Sequence, residues 1–187
     1  MLIRNAILAC WIIFIVYWTV SVKQTKAVRK RQSRWEEWSW RGPLCLGCLL
    51  LIFARFVPPP DAGLVPATWT WAGVGVVLTV VGLAGAIWAR RALGGNWSSA
   101  VSAKQGHELV QDGPYRWVRN PIYTGLTLMF LGTALVVGRR SSMLALLLVV
   151  IAYWIKLRQE ERVMHREFPE AYPAYRRRVK ALVPFVF

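Results

Sequence analysis

The segment GPYRWVRNPIYTG, residues 113–125, leads into an apolar run that continues to residue 137. It contains two prolines, two tyrosines, two arginines and an asparagine, and such polar groups are costly beside a membrane-spanning run. Gly113-Pro114 is predicted to turn the chain. Asn120-Pro121 is predicted to begin a helix, because proline is tolerated at the first helical position. The segment therefore predicts a membrane span with a polar entrance.

Five apolar runs are candidate membrane spans, since about 20 apolar residues cross a bilayer and fewer suffice when flanking residues snorkel. They cover residues 2–22, 44–57, 69–89, 122–137 and 143–157. The last two are predicted to form a tight hairpin around GRRSS. Glycines of the third run should permit close approach of another helix, and they are Gly73, Gly75, Gly82 and Gly85. The predicted fold class is an all-α, polytopic membrane protein of about five transmembrane helices.

The basic residues predict the orientation. The chain has 24 Lys and Arg, 9 Asp and Glu, and a net charge of +15, yet no nucleic-acid-binding module is visible, so the expected partner is an anionic membrane face. The loop after the first span should be cytoplasmic because it contains Lys23, Lys26, Arg29, Lys30, Arg31, Arg34 and Arg41. Five spans then leave the N-terminus outside and the C-terminus cytoplasmic. Arg139 and Arg140 fall on the opposite face, against this rule.

The three cysteines do not predict a metal centre. Cys45 and Cys48 have the spacing of a metal-binding pair, but they lie in an apolar run without a second pair or a nearby histidine. Together with Cys10 they are interpreted as small packing residues.

Three polar clusters are expected on the cytoplasmic side: the loop 96–113, the segment 113–125 and the tail 156–187. Taken singly, each has an ordinary structural explanation. His107 is compatible with an interface histidine, Arg119 with a lipid anchor, and Glu160 with a solvated carboxylate paired to Lys156. The arginine-rich end, AYRRRVK, is compatible with an amphipathic tail on anionic lipid.

Taken together, four motifs carry a resemblance. They are H-x-L-V-x-x-G-P-Y at 107–115, R-N-P-x-Y-x-G at 119–125, E-E at 160–161, and F-x-x-x-Y-x-x-Y-x-x-R-V from Phe168 with a later proline. The chain resembles the isoprenylcysteine carboxyl methyltransferase family, within the integral-membrane methyltransferases that include phospholipid N-methyltransferases. The resemblance covers residues 94–187. It implies a methyltransferase core there, preceded by transmembrane helices and a basic loop in residues 1–93.

The resemblance implies an S-adenosylmethionine pocket on the cytoplasmic side, completed by C-terminal helices. Its cofactor contacts would be His107, Glu108, Leu109, Val110, Tyr115, Asn120, Pro121, Ile122, Tyr123 and Glu160. The helix-start amides beside Asn120 are expected to face the cofactor. Substrate contacts would be Lys156, in the register of the family's carboxylate-binding arginine, with Arg158 and Arg119 as further candidates. No catalytic residue is assigned.

Asn120 stands where the animal enzymes have histidine, and asparagine cannot titrate near neutral pH. A carboxylate nucleophile is already ionised at pH 7, so O-methylation needs no base there. The implied reaction is methyl transfer to a lipophilic acceptor, favouring the carboxylate of an isoprenylcysteine-like molecule. The alternatives are a phospholipid N-methyltransferase, an NADPH-dependent enzyme resembling sterol reductases, and a non-catalytic membrane scaffold.

Overall fold

Six α-helices and two short strands form the regular structure of the described chain. The computed structural model describes residues 1–22, 28–31, 33–54, 63–66, 68–97, 102–104 and 108–182. In chain order the elements are α1 (Leu2–Val22), β1 (Val28–Arg31), α2 (Arg34–Ile52), α3 (Trp69–Leu93), β2 (Ser102–Lys104), α4 (Pro121–Val137), α5 (Arg140–Glu167) and α6 (Ala171–Arg178). Short 3₁₀ turns cover Gly94–Asn96 and Gly113–Arg116, and β1 pairs with β2 in antiparallel orientation.

Within the described residues, three helices are long and apolar enough to cross a membrane: Leu2–Ser21, Trp69–Asn96 and Arg140–Glu167. Pro121–Val137 is a shorter apolar helix and begins at the predicted Asn120-Pro121 step, with Asn120 as its N-cap residue. Large apolar side chains remain exposed on the three long helices, including Ile12, Ile15, Val77, Val81 and Leu147. Exposed apolar surface on this scale is what contact with lipid requires. The chain is therefore a helical membrane protein.

The second predicted span differs from the helix that forms there. The apolar run 44–57 predicts a helix in that range, but α2 begins at Arg34 and ends at Ile52. Ser33 and Glu36 form a capping box that starts the helix early: the Ser33 hydroxyl accepts a hydrogen bond from the Glu36 backbone N–H at 3.3 Å, and Glu36 accepts one from the Ser33 backbone. The first half of α2 therefore contains four charged residues and three tryptophans.

α3 and α4 pack backbone against backbone through four glycines, which we call the glycine seam: Gly75, Gly82, Gly125 and Gly132. A Cβ atom on Gly75 would lie 2.6 Å from the Gly132 carbonyl oxygen, and one on Gly125 would lie 2.6 Å from the Gly82 carbonyl oxygen. The predicted close approach is thus confirmed at two of the four positions. A Cβ atom added to Gly73 or Gly85 would have no described atom within 4 Å; both glycines lie away from the seam.

Polar contacts bring five helix ends to one end of the molecule. Arg90 at the end of α3 donates to the carbonyl oxygen of Ser21, at the end of α1, at 2.6 Å. Gln159 of α5 donates to the carbonyl oxygen of Glu36, at the start of α2, at 3.2 Å. Tyr123, at the start of α4, reaches Glu160 of α5. We call this the site end of the molecule.

At the opposite end of the molecule, a hydrogen bond accounts for Arg139, whose position the distribution of basic residues does not explain. Gly138 adopts φ +69° and joins α4 to α5 in the predicted tight hairpin. Its carbonyl oxygen accepts hydrogen bonds from the backbone of Leu64 and Val65 at 2.7 and 3.2 Å. Arg139 donates to the carbonyl oxygen of Ala54, just beyond α2, at 3.2 Å. This arginine therefore fastens the end of α2.

Candidate functional site

A cavity of about 420 Å³ lies at the site end, between α1, α2, α4 and α5 and beside α6. Its volume falls in the range of small-molecule and cofactor sites. The side chains that line it are Trp11, Phe14, Trp18, Trp40, Leu44, Cys48, Leu93, Asn96, Trp97, Glu108, Leu109, Val110, Tyr115, Arg119, Asn120, Ile122, Tyr123, Leu126, Phe130, Tyr153, Lys156, Glu160, Glu161, Val163, Met164, Tyr172 and Tyr175.

The apolar wall of this cavity comes largely from α1. Trp11, Phe14 and Trp18 lie on one face of that helix, and the centroids of Phe14 and Trp18 are 4.6 Å apart. The Trp11 ring lies 4.8 Å from the ring of Phe130 on α4. Sequence reasoning treated α1 as a generic span, although the spacing Trp-x-x-Phe-x-x-x-Trp is a readable signal. The same helix contributes Cys10 to the core.

Four side chains at the polar end form what we call the open cluster: Trp40, Tyr123, Lys156 and Glu160. The Tyr123 hydroxyl donates to Glu160 Oε1 at 2.6 Å. The Lys156 Nζ lies 4.2 Å from the Trp40 ring centroid and 5.7 Å from the Tyr123 ring centroid. Tyr123 also stacks on Tyr153 at 5.2 Å between centroids. A carboxylate and an ammonium group therefore lie in the lining of an aromatic cavity.

A second group of polar side chains is bound to the C-terminal tail. Arg119 pairs with Glu161, its Nη2 lying 2.5 Å from Glu161 Oε1, and both side chains are only 8% exposed. Its Nη1 donates to the carbonyl oxygens of Val179 and Arg176. We call this group, with Asn120, Thr124 and residues 179–182, the tail clamp. Because Arg119 Nε, Nη1 and Nη2 all donate to groups of the protein, few of its N–H donors remain for a ligand.

The backbone of the tail clamp corrects one expectation. The helix-start amides are expected to face a cofactor, but those of Tyr123 and Thr124 donate to the carbonyl oxygen of Asn120, at 3.0 and 3.1 Å. Just before the helix, the backbone N–H of Arg119 donates to the carbonyl oxygen of Lys180 at 2.8 Å and that of Asn120 to the carbonyl oxygen of Ala181 at 3.1 Å. The Asn120 side-chain amide also donates to the Ala181 carbonyl oxygen, at 3.2 Å. These donors are taken because the tail runs alongside residues 118–120 in a parallel bridge.

The aromatic residues of the tail motif hold α6 against the rest of the site. Tyr172, Tyr175 and Val179 form a buried cluster with Leu109 and other apolar neighbours. The Tyr175 hydroxyl donates to the carbonyl oxygen of Tyr115 at 2.6 Å. Tyr115 is itself buried, and burial, followed by the charge of Glu160, raises the pKa of its hydroxyl above the ordinary value. It stays protonated at neutral pH.

Most of the predicted site residues meet at this cavity, where the lining includes Glu108, Leu109, Val110, Tyr115, Arg119, Asn120, Ile122, Tyr123, Lys156 and Glu160. Pro121 is buried at the start of α4, outside the lining. Arg158 also lies outside it: the side chain is exposed and stacks on Trp154 at 4.4 Å. His107 and the basic residues Lys23 and Lys26 fall outside the described residues.

Two lining residues that the sequence did not single out carry buried polar atoms without a partner among the described residues. They are the Asn96 side-chain oxygen, Oδ1, and the Trp40 indole nitrogen, Nε1. The Asn96 amide nitrogen donates to Glu108 at 3.4 Å, which leaves the oxygen as an acceptor. Unpaired buried polar atoms are uncommon and require an explanation. Both atoms are out of contact with the open space of the cavity, so neither is a ready partner for a ligand there.

Comparison with known proteins matches residues 71–171 to the sequence model of a family described as phospholipid methyltransferase. This range begins within α3 and includes all of α4 and α5. It therefore contains the glycine seam, the hairpin and most of the cavity's polar lining.

Curated relatives also resemble part of the chain. The protein-S-isoprenylcysteine O-methyltransferase of Schizosaccharomyces pombe is 32% identical over 96 residues, which are 50% of this chain and 41% of the relative. The enzyme of that name from Saccharomyces cerevisiae is 28% identical over 116 residues, 60% of this chain and 48% of the relative. The uncharacterized protein YpbQ of Bacillus subtilis is 35% identical over 66 residues, 35% of this chain and 38% of the relative.

The chain thus matches less than half the length of these relatives. The family match covers more than half of this chain. The chain therefore belongs to the phospholipid methyltransferase family, and it is similar to proteins named isoprenylcysteine O-methyltransferases.

Proposed function

We propose that this protein is an integral-membrane methyltransferase that transfers a methyl group from S-adenosylmethionine to a lipophilic acceptor, favouring the carboxylate of an isoprenylcysteine-like molecule. The observation that carries the proposal is a single cavity with two kinds of lining. Its polar end has Glu160, Lys156 and Asn96, and its apolar end has the aromatic face of α1. Such a cavity suits a polar donor at one end and a lipid tail at the other. The names of the curated relatives support the same reaction.

The polar lining fits S-adenosylmethionine. The amino group and ribose hydroxyls of this cofactor need acceptors, and the site offers the Glu108 carboxylate and the remaining acceptor capacity of Glu160. Tyr115 and Tyr172 add aromatic faces with polar tips. S-adenosylmethionine, when bound, supplies an electrophilic methyl group on a sulfonium centre.

The residues of the chain contribute by positioning and by excluding water. The Trp11, Phe14 and Trp18 face holds the acceptor's apolar part, and Lys156 attracts its carboxylate. Tyr123 holds Glu160 in place through its hydrogen bond. Alignment of two bound reactants lowers a barrier by about 7–11 kcal/mol in favourable cases. A carboxylate acceptor is already ionised at neutral pH, so the reaction requires no general base.

The five helices are proposed to cross the membrane alternately, with the N-terminus outside and the site end cytoplasmic. Support comes from the alternating helix directions and from the basic composition of the chain near the site end. Single cysteines introduced into a variant without native thiols would be labelled with an impermeant reagent on intact cells. Labelling is expected in 58–68 and not in 100–115. The reverse pattern would place the site end outside.

The direct test is equilibrium binding of radiolabelled S-adenosylmethionine and of NADPH to the detergent-purified protein. Saturable binding of S-adenosylmethionine alone is expected. Binding of NADPH alone would favour a reductase, and binding of neither would favour a scaffold without catalysis.

A phospholipid amine is the second candidate acceptor, because the matched family is described as phospholipid methyltransferase. Methyl transfer would be compared on phosphatidylethanolamine and on N-acetyl-S-farnesylcysteine in the same detergent. Product from the carboxylate substrate alone supports O-methylation, whereas product from the phospholipid alone would replace the favoured acceptor.

A further inference from the structure

The arginine-rich run AYRRRVK, residues 174–180, belongs to a cluster of exposed basic residues at the site end. We call this cluster the basic surface, and its members are Arg116, Arg176, Arg177, Arg178 and Lys180. A parallel bridge between Val118 and Lys180 brings the end of α6 beside residues 116–118. Arg178 also donates to the side-chain oxygen of Gln111 at 3.0 Å. Two separate parts of the chain therefore contribute to the basic surface.

The basic surface has little negative charge near it. Within the described residues its one ion pair joins Arg176 Nε to Glu161 Oε2 at 4.0 Å, and Glu161 already pairs with Arg119. Asp112 and Glu170, the exposed acids of the adjoining segments, form no ion pair with the basic surface in the described chain. Like charges in one cluster repel each other. An anion from outside the chain would therefore stabilise the folded tail.

Two exposed tryptophans indicate that the basic surface lies at the membrane boundary. Trp88 is near the end of α3, a helix of membrane-spanning length, and is 46% exposed. Trp117 is 52% exposed, and its ring meets the Trp88 ring edge-on with 5.5 Å between centroids. Exposed tryptophans at the end of a span are typical of the lipid headgroup layer. Because Arg116 precedes Trp117 directly, the basic surface is at the level of phospholipid headgroups.

The helix that ends in the basic surface has its other face in the cavity. Tyr172 and Tyr175 of α6 line the cavity, and the Tyr175 hydroxyl donates to the carbonyl oxygen of Tyr115 at 2.6 Å. Gln111, which accepts from Arg178, directly follows three lining residues. A helix of eight residues is not stable by itself in water, so α6 depends on such contacts. A ligand on its basic side would therefore also hold its tyrosine side in the cavity.

We propose that the basic surface binds anionic phospholipid headgroups of the leaflet at the site end, and that this binding holds α6 against the cavity. The anion is a lipid and not a soluble phosphate or a nucleic acid, because the adjoining tryptophan pair belongs to the end of a membrane-length helix. The proposal goes beyond methyl transfer. It rests on the proposed function only where S-adenosylmethionine is taken as a ligand of the cavity.

The first experiment identifies the headgroup without the cofactor. The purified full-length chain is placed in phosphatidylcholine nanodiscs that contain a small amount of a lipid with a photoreactive diazirine on its headgroup. The probe is either phosphatidylglycerol or phosphatidylcholine, and crosslinked positions are mapped by mass spectrometry. The phosphatidylglycerol probe is expected to label residues 111–118 and 174–182 in clear preference to the phosphatidylcholine probe.

Variants test the role of the charges. Arg116→Gln combined with Lys180→Gln should lower this labelling roughly fivefold for each charge removed, because each basic residue beside an anionic leaflet contributes about that factor. The matched control combines Arg34→Gln with Arg140→Gln, which neutralises two exposed arginines at the starts of α2 and α5. The control changes the net charge equally and should leave the labelling of both segments unchanged. Unfolding temperatures in the same nanodiscs would show that both double variants fold.

The second experiment measures whether the lipid holds α6. Amide hydrogen exchange reports local opening of a helix, and it is compared between nanodiscs of phosphatidylcholine and nanodiscs that also contain phosphatidylglycerol. Exchange in residues 171–179 is expected to be roughly fivefold slower or more with phosphatidylglycerol. The Arg116→Gln, Lys180→Gln variant should lose this protection, and the control variant should keep it. The affinity for S-adenosylmethionine should rise in the same lipid mixture.

Equal labelling by the two probes in the unmodified protein would overturn the proposal, as would undiminished labelling in a folded Arg116→Gln, Lys180→Gln variant. Displacement of the lipid probe by inorganic phosphate or a short oligonucleotide at constant ionic strength would also overturn it. Equal exchange of α6 in the two lipid mixtures would refute its link to the cavity. A protein with a labelled basic surface and a protected α6 that binds no S-adenosylmethionine would keep the lipid site and refute the proposed methyl transfer.

Discussion

Glu160 and Glu161 are consecutive residues, yet they belong to regions of opposite character. Glu161 lies in the tail clamp, where Arg119 pairs with it and also binds the carbonyl oxygens of the tail. Glu160 lies in the open cluster, where one hydroxyl binds one of its oxygens at the edge of a cavity. The first region has its polar groups bound to one another, and the second keeps polar capacity for a ligand. The difference separates residues that shape the site from residues that can bind in it.

Helix geometry explains why neighbours separate in this way. Successive residues of an α-helix are rotated by about 100°, so adjacent side chains face different parts of the fold. Glu161 faces the start of α4 and the tail, whereas Glu160 shares a face with Lys156, four residues earlier. The predictions below test whether the two regions differ in stability and in binding as their contacts indicate.

The largest effect is expected from removal of the clamp's cation. Arg119→Gln leaves the buried Glu161 with only the half-exposed Arg176, at 4.0 Å, as an ion-pair partner, so the free energy of unfolding should fall by about 3–5 kcal/mol. Denaturant unfolding in detergent measures the change. Arg119→Lys should recover only part of the loss, since lysine lacks the planar fork that reaches both Glu161 and the tail.

Arg158→Gln is the matched control, because this arginine is exposed on the same helix as Glu161. It should leave stability within about 0.5 kcal/mol of the unmodified protein. If Arg119→Lys retains full stability and full cofactor affinity, Arg119 is only a lipid anchor and the clamp has no energetic role.

Glu160→Ala is expected to weaken S-adenosylmethionine binding while the protein still folds. Loss of a hydrogen bond to a charged ligand group costs about 1.5–3 kcal/mol, which is roughly tenfold or more in affinity. Equilibrium binding of the labelled cofactor measures it. Glu161→Ala should instead act mainly on stability. Equal affinity in Glu160→Ala and the unmodified protein would place the cofactor site elsewhere.

Beyond the tail clamp, α4 is also held by its glycine contacts with α3, which leave no room for a ligand or an added side chain. Gly82→Ala would place a Cβ atom 2.8 Å from the Met129 backbone nitrogen and against the Gly125 carbonyl oxygen. Such overpacking typically costs about 1–3 kcal/mol, measurable as a lower unfolding temperature. Gly85→Ala, on the same helix with no described atom within 4 Å of the added carbon, should cost nothing. Equal losses in the two variants would refute the seam.

The smallest effect is expected from a single neutral hydrogen bond of the clamp. The Thr124 hydroxyl donates to the Leu182 carbonyl oxygen at 2.7 Å, and Thr124→Val removes it at nearly constant volume. Stability should fall by about 0.5–1.5 kcal/mol, and cofactor affinity should stay the same. Limited proteolysis would report loosening of the tail. A tail that is cleaved no faster than in the unmodified protein would show that this bond does not hold it.

Helix positions were largely predictable because they depend on local pattern. Apolar runs of spanning length locate α1 and α3, and the Asn120-Pro121 step locates the start of α4. The early start of α2 depends on the Ser33–Glu36 capping box, a short polar signal that the search for apolar runs overlooked. The five-span topology and its orientation remain predictions.

The candidate site was predictable only in part. Its motif residues were predictable because their spacings match those of the family that the chain resembles, and most of them line one cavity. Trp40 and Asn96 were missed, because nothing local distinguishes these residues from ordinary interfacial ones. The aromatic face of α1 was missed although its spacing, Trp-x-x-Phe-x-x-x-Trp, is readable, because the helix matches a generic membrane span. Their importance comes from contacts across more than a hundred positions, such as that between Trp40 and Lys156.

The sequence by itself determined that this is a helical membrane chain of the methyltransferase type, since hydrophobic run length, helix-start chemistry and motif spacing are local properties. Tertiary structure decided which polar groups bind one another within the protein and which line the cavity. Glu160 and Glu161, or Arg119 and Lys156, cannot be assigned to a clamp or a cavity from their residue types. That assignment depends on which tail carbonyls and aromatic rings the folded helices bring within hydrogen-bonding and contact distance.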